Sequence, residues 1–272
     1  MGILYVKLFQ PYAQYRNPYT FNFAQTYPLP PKSTIVGMLQ NATGDYYSEV
    51  YNGLRMAILA DSSPLVFWHY QHFVKGTPTL TVESGKATLY GKEDKLPLYH
   101  SEKRHQRSPR PQQELFNVNL HLFLQGDDSL LERVEASLKK PRKILYLGRS
   151  EDIIFIRAVG RATVKNKRKI RDKRFEHPFY AEWGVLHNSL DSANRFPAYS
   201  LPIKSEFLIK DRKITSFQEI LHKKGETLRK TEFAPVYFVE PYSVPRFREP
   251  VTVETIKAGG SEFSILKDGG WL

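Results

Sequence analysis

The sequence of 272 residues contains no cysteine. This absence excludes disulfides, cysteine-ligated zinc ribbons, iron–sulfur clusters and cysteine nucleophiles. It is typical of a chain that works in a reducing compartment, so we expect a cytoplasmic protein.

Long apolar runs are also absent. The N-terminal stretch Met1-Gly2-Ile3-Leu4-Tyr5-Val6-Lys7 reaches a charge too soon for a signal peptide or a membrane span, and its pattern predicts the first strand. No basic amphipathic helix with bulky apolar residues on its opposite face is evident. A membrane partner is therefore not expected.

Catalytic motifs are scarce. The eight histidines are scattered, and the sequence has neither an HExxH motif nor a nucleophile elbow, so we expect no metal site and no cofactor. One catalytic alternative stays open. A metal-independent ribonuclease needs a base, an acid and a cation near the phosphate, which His100 or His105 with Lys103 or Arg104 would supply.

Positive charge is plentiful. Lysine and arginine number 40 against 28 acidic residues, for a net charge of +12 and a pI near 9.6. A balance this basic indicates a polyanion partner, and without a membrane-binding helix nucleic acid is favoured.

Two basic regions are candidate RNA contacts. The first spans residues 100–113 and offers cations, amides and an imidazole that suit phosphate, sugar and base edges, namely Lys103, Arg104, His105, Arg107, Arg110 and Gln112. Its alternative is a solvated hairpin tip. The second is the run from Arg161 to Arg174, with eight basic residues and one acid, where Lys167, Arg168 and Lys169 are the candidates. Its alternative is a solubilising loop.

A third candidate is Arg149 in the turn Leu147-Gly148-Arg149-Ser150-Glu151-Asp152. Its alternative is a structural ion pair with Glu151 or Asp152. Tyr15 and Arg16 lie in a connection rich in aromatic residues, which suits bases stacked on rings. Packing in the core is the alternative for such rings.

A proline-rich stretch precedes the first predicted helix. Pro28, Pro30 and Pro31 prevent a helix from starting earlier in the chain. The predicted N-cap is Lys32, Ser33 or Thr34, and Gly44 is the predicted end of the helix. The apolar face is Ile35, Val36, Leu39 and Ala42. Free amide groups, the helix dipole and the Lys32 ammonium favour a phosphate at this helix start, and the alternative is an ordinary capped helix.

The order of predicted elements is strand, helix, strands, helix, strand, which is the order of a ferredoxin-like α+β sheet. We expect two helices to cover one face and the other face to remain available. Insertions fall between the second and third main strands. Residues 161–197 are predicted as a basic irregular linker and residues 198–272 as a smaller β-rich C-terminal part.

Two segments, Leu29-Pro30-Pro31-Lys32-Ser33-Thr34-Ile35-Val36-Gly37-Met38-Leu39 and Leu147 to Asp152, make the chain resemble the Cas-five family of CRISPR-associated proteins, most closely the type I-B branch. The resemblance implies an RRM-like domain at residues 1–160 with a β-hairpin thumb inserted at about residues 75–113. It also implies a non-catalytic role in antiviral defence, in which the protein binds the five-prime handle of the CRISPR RNA (crRNA) within a type I Cascade complex. The implied partners are the Cas-seven backbone subunit, the large subunit and, indirectly, target DNA near the PAM-proximal end.

Two other functions remain open. In the type I-C branch the corresponding protein cuts precursor crRNA with a tyrosine, lysine and histidine set, and no such set aligns here by motif, so a ribonuclease using His100, Lys103 and His105 is the alternative. A scaffold whose basic surface only balances charge in an assembly is the third reading.

Overall fold

The computed structural model describes residues 2–20, 23–74, 81–83, 86–88, 107–191, 195–209, 212–214 and 227–272. Three α-helices are assigned there, α1 (Lys32–Thr43), α2 (Asp128–Lys139) and α3 (Trp183–Ser189), with a 3-10 helix at Glu49–Gly53. The first seven strands are β1 (Ile3–Ala13), β2 (Arg55–Ala60), β3 (Leu65–Val74), β4 (Thr81–Glu83), β5 (Lys86–Thr88), β6 (Arg107–Gln125) and β7 (Phe155–Asp172). The others are β8 (Phe179–Glu182), β9 (Ala198–Ile209), β10 (Arg212–Lys213), β11 (Thr227–Val239), β12 (Arg246–Ala258) and β13 (Ser261–Leu266).

One antiparallel sheet organises the molecule. Its strand order is β10-β9-β11-β8-β2-β6-β1-β7-β12-β13, with β3 also paired to β6, while β4 and β5 form a separate pair. The central strand β1 sets the register, because Val6 lies opposite Leu122 of β6 and Val159 of β7. The predicted α+β class is confirmed.

Two elements follow directly from the periodicity of the sequence. In β6, Leu120, Leu122 and Leu124 lie at every second position, so they share one face of the strand, and all three are fully buried. The helix α2 buries Leu130, Leu131, Val134 and Leu138, and its N-cap Asp127 accepts hydrogen bonds from the amides of Ser129 and Leu130.

Both faces of the central sheet are covered. Leu4, Val6 and Leu8 of β1 belong to the core beneath α1 and α2, whereas Ile3 and Tyr5 point to a second core that contains Phe123 and Phe263. The expectation that one face stays available is therefore wrong there, because β12, β13 and the segment around β8 return across it.

The basic run is a strand and not an irregular segment. Residues 161–172 belong to β7, which pairs with β1 and β12, and residues 179–189 form β8 and α3. Long charged side chains are compatible with a strand when they point to solvent or to acidic partners on the next strand. Lys167 lies 2.8 Å from Glu254, and Lys165 pairs with Glu262 at 2.5 Å.

Within the described residues, the structure contains no helix of sufficient length and apolarity to cross a membrane.

Candidate functional site

A cleft of about 700 Å³ lies where α1 faces the connection after β1, the turn around Gly148 and strands β9 and β11. We call it the α1 cleft. Five of its lining residues were proposed from the sequence, namely Tyr15, Arg16, Ser33, Thr34 and Arg149. Among the lining residues that the structure describes, the charged ones are three arginines: Arg16, Arg149 and Arg229.

The start of α1 differs from the prediction. Pro31 is the N-cap, with no side-chain hydrogen bond, so Lys32, Ser33 and Thr34 do not cap the helix. The amides of Thr34 and Ile35 donate to the Pro31 carbonyl oxygen at 3.0 and 3.1 Å. The fixed φ of proline suits the start of a helix, but its ring offers no oxygen to the amides of the first turn. At the other end Gly44, with φ of 82°, ends the helix as predicted.

Two buried polar atoms on α1 lack a partner. The Ser33 side chain is 9% exposed and its Oγ has no hydrogen bond, and the same holds for Nδ2 of Asn41, which is 7% exposed. Both residues line the cleft. Unpartnered buried polar groups cost about 1–3 kcal/mol each, and rotation of either side chain toward a polar ligand in the cleft would remove that cost.

Lys32 does not line the α1 cleft. Its Nζ donates to the Leu272 carbonyl oxygen at 3.2 Å. Burial lowers the pKa of Lys32, the negative charge of Glu182 raises it, and the positive charge of Arg55 lowers it further. The ammonium group therefore lies in a desolvated contact, away from the phosphate position predicted for it.

Tyr15 is also placed differently from the expectation of base stacking. Its ring is 1% exposed, and its hydroxyl donates to Oε1 of Gln10. Burial, followed by the charge of Asp152, raises the pKa of Tyr15 well above its ordinary value. The neighbouring Arg16 is exposed, and its Nη2 donates to the Thr20 carbonyl oxygen at 3.3 Å.

Arg149 is engaged in a network of carboxylates. Its Nη2 lies 2.7 Å from Oδ1 of Asp152, its Nη1 lies 2.6 Å from Oε1 of Glu114, and its Nε lies 3.4 Å from Glu151. Burial lowers the pKa of Arg149, but hydrogen bonds to Asp152 and Glu114 outweigh that effect and leave the pKa raised. This guanidinium shapes the cleft wall through its ion pairs.

Gln112 belongs to the same network. Its side chain is 2% exposed and donates to Oε1 of Glu114 at 3.0 Å. It lies in the interior of the network rather than on a surface.

The aromatic lining was not predicted from the sequence. Tyr47 has a positive φ of 65°, and its ring lies 5.0 Å from that of Phe207 in an edge-on arrangement. Arg229 donates to Oγ of Ser205 at 3.0 Å, and its guanidinium carbon lies 6.0 Å from the Phe207 ring centroid. The Tyr46-Tyr47 pair, two residues after Gly44, was the available signal in the sequence.

The other proposed residues lie elsewhere. Arg107 and Arg110 are on β6, opposite Val74 and Gln71 of β3. His100, Lys103, Arg104 and His105 are outside the described residues. Lys167, Arg168 and Lys169 are on β7, which β8, β2, β6 and β1 separate from β11 in the strand order.

Arg168 lines a second cavity, of about 490 Å³, together with Lys173 and Arg174. Three acidic residues, Asp172, Glu176 and Glu262, lie in the same lining. These two cavities therefore differ in electrostatics: the described lining of the α1 cleft carries positive charge alone, whereas that of the second cavity carries both signs.

An antiparallel α+β protein with a cleft of arginines, tyrosines and unpartnered polar groups is a candidate polyanion-binding protein. Comparison with known proteins defines it further. Residues 3–220 match the family described as CRISPR-associated protein (Cas_Cas5). The chain belongs to this Cas-five family of CRISPR-associated proteins.

Solved structures include similar folds. A chain titled "CRISPR RNA-guided surveillance complex" has a TM-score of 0.51 and 12% identity, with 92% of this chain and 91% of that one covered. A CRISPR protein from Archaeoglobus fulgidus has a TM-score of 0.44 and 15% identity, with 97% and 98% covered. No curated protein matches the sequence.

Proposed function

We propose that this protein is a non-catalytic crRNA-binding subunit of a type I Cascade complex, of the type I-B branch. It holds the five-prime handle of the crRNA and anchors the Cas-seven backbone subunit and the large subunit. Target DNA near the PAM-proximal end meets it only indirectly. Membership of the Cas-five family and the net charge of +12 support this proposal.

The α1 cleft is the observation that carries the proposal. Arg16 and Arg229 suit phosphate oxygens, and the exposed Tyr146 ring suits an unstacked base. The unpartnered Ser33 and Asn41 atoms suit polar groups of a sugar or a base edge. A single strand with splayed bases presents all of these groups at once, whereas a duplex hides its base edges.

The strand order supports a ferredoxin-like, RRM-like arrangement for residues 1–160. Along the chain the four strands and two helices follow one another as β1, α1, β2, β6, α2 and β7, and in the sheet the strands lie in the order β7-β1-β6-β2. We further propose the thumb at about residues 75–113, since Val74 lies opposite Arg107 at the end of the β3–β6 pair. Residues 198–272 then form the smaller β-rich part.

RNA contact at the thumb is a further element of the proposal. Its sequence carries Lys103, Arg104, His105, Arg107 and Arg110. Arg168 and Lys169 of β7 are further basic residues that belong to the proposal. These residues add phosphate contacts outside the α1 cleft.

Crosslinking tests the proposal. The assembled complex is reconstituted with crRNA carrying 4-thiouridine in the handle, irradiated, digested and mapped by mass spectrometry. We expect adducts at cleft residues such as Tyr47 and Tyr146. Adducts confined to neighbouring subunits would favour the scaffold reading and contradict the proposal.

Incubation of the purified protein with repeat RNA in EDTA tests the ribonuclease alternative. We expect intact RNA. Site-specific cleavage that is lost in His100→Ala or His105→Ala would show that the protein is the endoribonuclease.

A further inference from the structure

Three metal-ligand side chains converge on the side of the sheet away from α1. Asp61 follows β2 directly, His121 lies on β6, and His177 lies in the segment between β7 and β8. Their carboxylate oxygen and ring nitrogens all lie within 4.8 Å of one another. None of the three lines the α1 cleft.

His121 is held on both sides of its ring. Its Nε2 lies 2.6 Å from Oδ1 of Asp61, and its Nδ1 lies 2.9 Å from the Tyr5 hydroxyl. Because a carboxylate only accepts hydrogen bonds, the contact with Asp61 places the proton on Nε2, and Nδ1 then accepts from the Tyr5 hydroxyl. A metal ion on Nε2 requires the other tautomer, in which Nδ1 carries the proton and donates to Tyr5 Oη. A second hydrogen bond that fixes the tautomer in this way is the usual support of a metal-bound histidine.

Charged groups of both signs surround the cluster. Asp61 and Glu176 act on His177, and so does Lys7, so two carboxylates face one ammonium group. This excess of negative charge favours a dication.

An aromatic shell surrounds the cluster. The Phe263 ring lies 4.7 Å from the His121 ring and 5.0 Å from the His177 ring. The two imidazole rings are 5.7 Å apart at 82° to each other. Nearly perpendicular rings allow their nitrogens to approach one point without a ring clash.

We propose that Asp61, His121 and His177 bind one divalent transition-metal ion, with zinc as its probe, through one carboxylate oxygen and two imidazole nitrogens. Zinc accepts this donor set at about 2.0–2.2 Å and completes its tetrahedron with water. His177 moves inward on binding, which its half-buried position outside the helices and strands allows. Tyr5 is a positioning residue, and the ion fastens β2, β6 and the segment before β8 together.

Metal titration of the full-length chain, without a polyhistidine tag, tests this site. Protein stripped with a chelator and desalted is titrated with zinc chloride by calorimetry and with cobalt chloride by visible absorption. We expect one equivalent of either ion per chain, with the absorption of a tetrahedral cobalt site. Zinc should also raise Tm in proportion to its occupancy.

Variants assign the ligands. Tyr5→Phe removes a supporting hydrogen bond and should weaken zinc binding by roughly 10–100-fold. His177→Gln and Asp61→Asn each remove a ligand and should weaken zinc binding by more than that. His187→Gln is the matched control, because His187 is an exposed histidine bonded to Tyr237. Its zinc affinity should equal that of the wild type.

Two results would overturn the proposal: wild-type protein with a native circular dichroism spectrum that takes up no zinc, or uptake that is unchanged in both His177→Gln and Asp61→Asn. In either case Tyr5, His121 and Asp61 form only a hydrogen-bonded chain, with the His177 ring packed beside it. Because the site lies apart from the α1 cleft, this outcome leaves the RNA-binding proposal unaffected.

Discussion

Arg149 binds the carboxylate of Asp152 at two points, with Nη2 2.7 Å from Oδ1 and Nε 3.1 Å from Oδ2. The same Oδ2 accepts the backbone amides of Gln14 at 3.0 Å and of Arg149 at 2.9 Å. Asp152 is 1% exposed, so this one carboxylate joins the turn to the segment that follows β1. It thereby fixes two walls of the α1 cleft relative to each other.

Removal of the Asp152 charge should weaken the fold. In Asp152→Asn the amide cannot accept all of these hydrogen bonds, and hydrogen bonds to charged groups contribute about 1.5–3 kcal/mol each. We expect the free energy of unfolding to fall by about 2–4 kcal/mol, measured by urea denaturation. Glu151→Gln is the control, since Glu151 is 57% exposed and 3.4 Å from Arg149, and it should change stability by less than about 0.5 kcal/mol. Equal effects of the two substitutions would contradict the assigned role of Asp152.

Gly148 is required by the same turn. Its φ is 109°, and a Cβ there would lie 2.7 Å from the Gln14 carbonyl oxygen and 2.8 Å from Oδ2 of Asp152. Gly148→Ala should therefore cost about 1–3 kcal/mol through backbone strain and displacement of the carboxylate. Thermal and urea unfolding measure this loss.

Gly37 provides the opposite case for comparison. It lies inside α1, and a Cβ there meets nothing within 4 Å. Gly37→Ala should raise stability by about 0.5–1 kcal/mol, because alanine is the better helix former. A loss of stability in Gly37→Ala similar to that in Gly148→Ala would contradict the open space at Gly37, and it would also contradict the attribution of the Gly148→Ala loss to close contacts.

The sequence predicted the elements that periodicity defines. β6 and α2 carry their buried leucines at the spacing of a strand and a helix, and both were predicted. The start of β7 was predicted as a strand, but its basic part from Arg161 onward was not, because the charges there are balanced by Glu254 and Glu262, which are distant in sequence and adjacent only after β12 and β13 pair. Local charge density alone therefore indicated a loop.

The site was predictable only in part for the same reason. The α1 start, Arg16 and the Gly148 turn carry local signals, and the fold brings them to one cleft. The direction of Lys32 depends on Leu272, and Phe207 and Arg229 come from β9 and β11. Contacts between residues this far apart in the sequence leave no periodic pattern in it.

Loss of a cleft arginine should weaken RNA binding and its dependence on salt. If around seven phosphates are neutralised, the plot of log K against log salt should have a slope near −5 for single-stranded RNA. Arg229→Ala and Arg16→Ala should each reduce the magnitude of that slope by roughly 0.7. Fluorescence anisotropy with handle RNA at several salt concentrations measures both quantities.

Arg248→Ala controls for the general effect of lost charge. Arg248 is an exposed arginine of β12 and does not line the α1 cleft. Its slope should stay close to that of the wild type. Salt-insensitive binding by the assembled complex, or equal effects of all three substitutions, would contradict binding in the cleft.

Lys32 should make stability depend on alkaline pH. Burial lowers its pKa in the folded protein below the ordinary 10.5, so in the window between these two values the unfolded chain binds more protons than the folded one. Stability then rises with pH in this window, and the cost of the buried charge is fully present below it. Lys32→Met keeps the apolar stem and removes the charge, so the free energy of unfolding of the wild type should approach that of the variant as pH rises toward 10.5. Tyr27, whose pKa burial raises to about 12, acts in the opposite direction above pH 10, which is why the difference between the two proteins is the quantity to measure.

Lys257→Met is the control, because Lys257 occupies an exposed position of β12. Its free energy of unfolding plotted against pH should run parallel to that of the wild type. A constant difference between wild type and Lys32→Met across the window would show that the Lys32 ammonium is fully solvated.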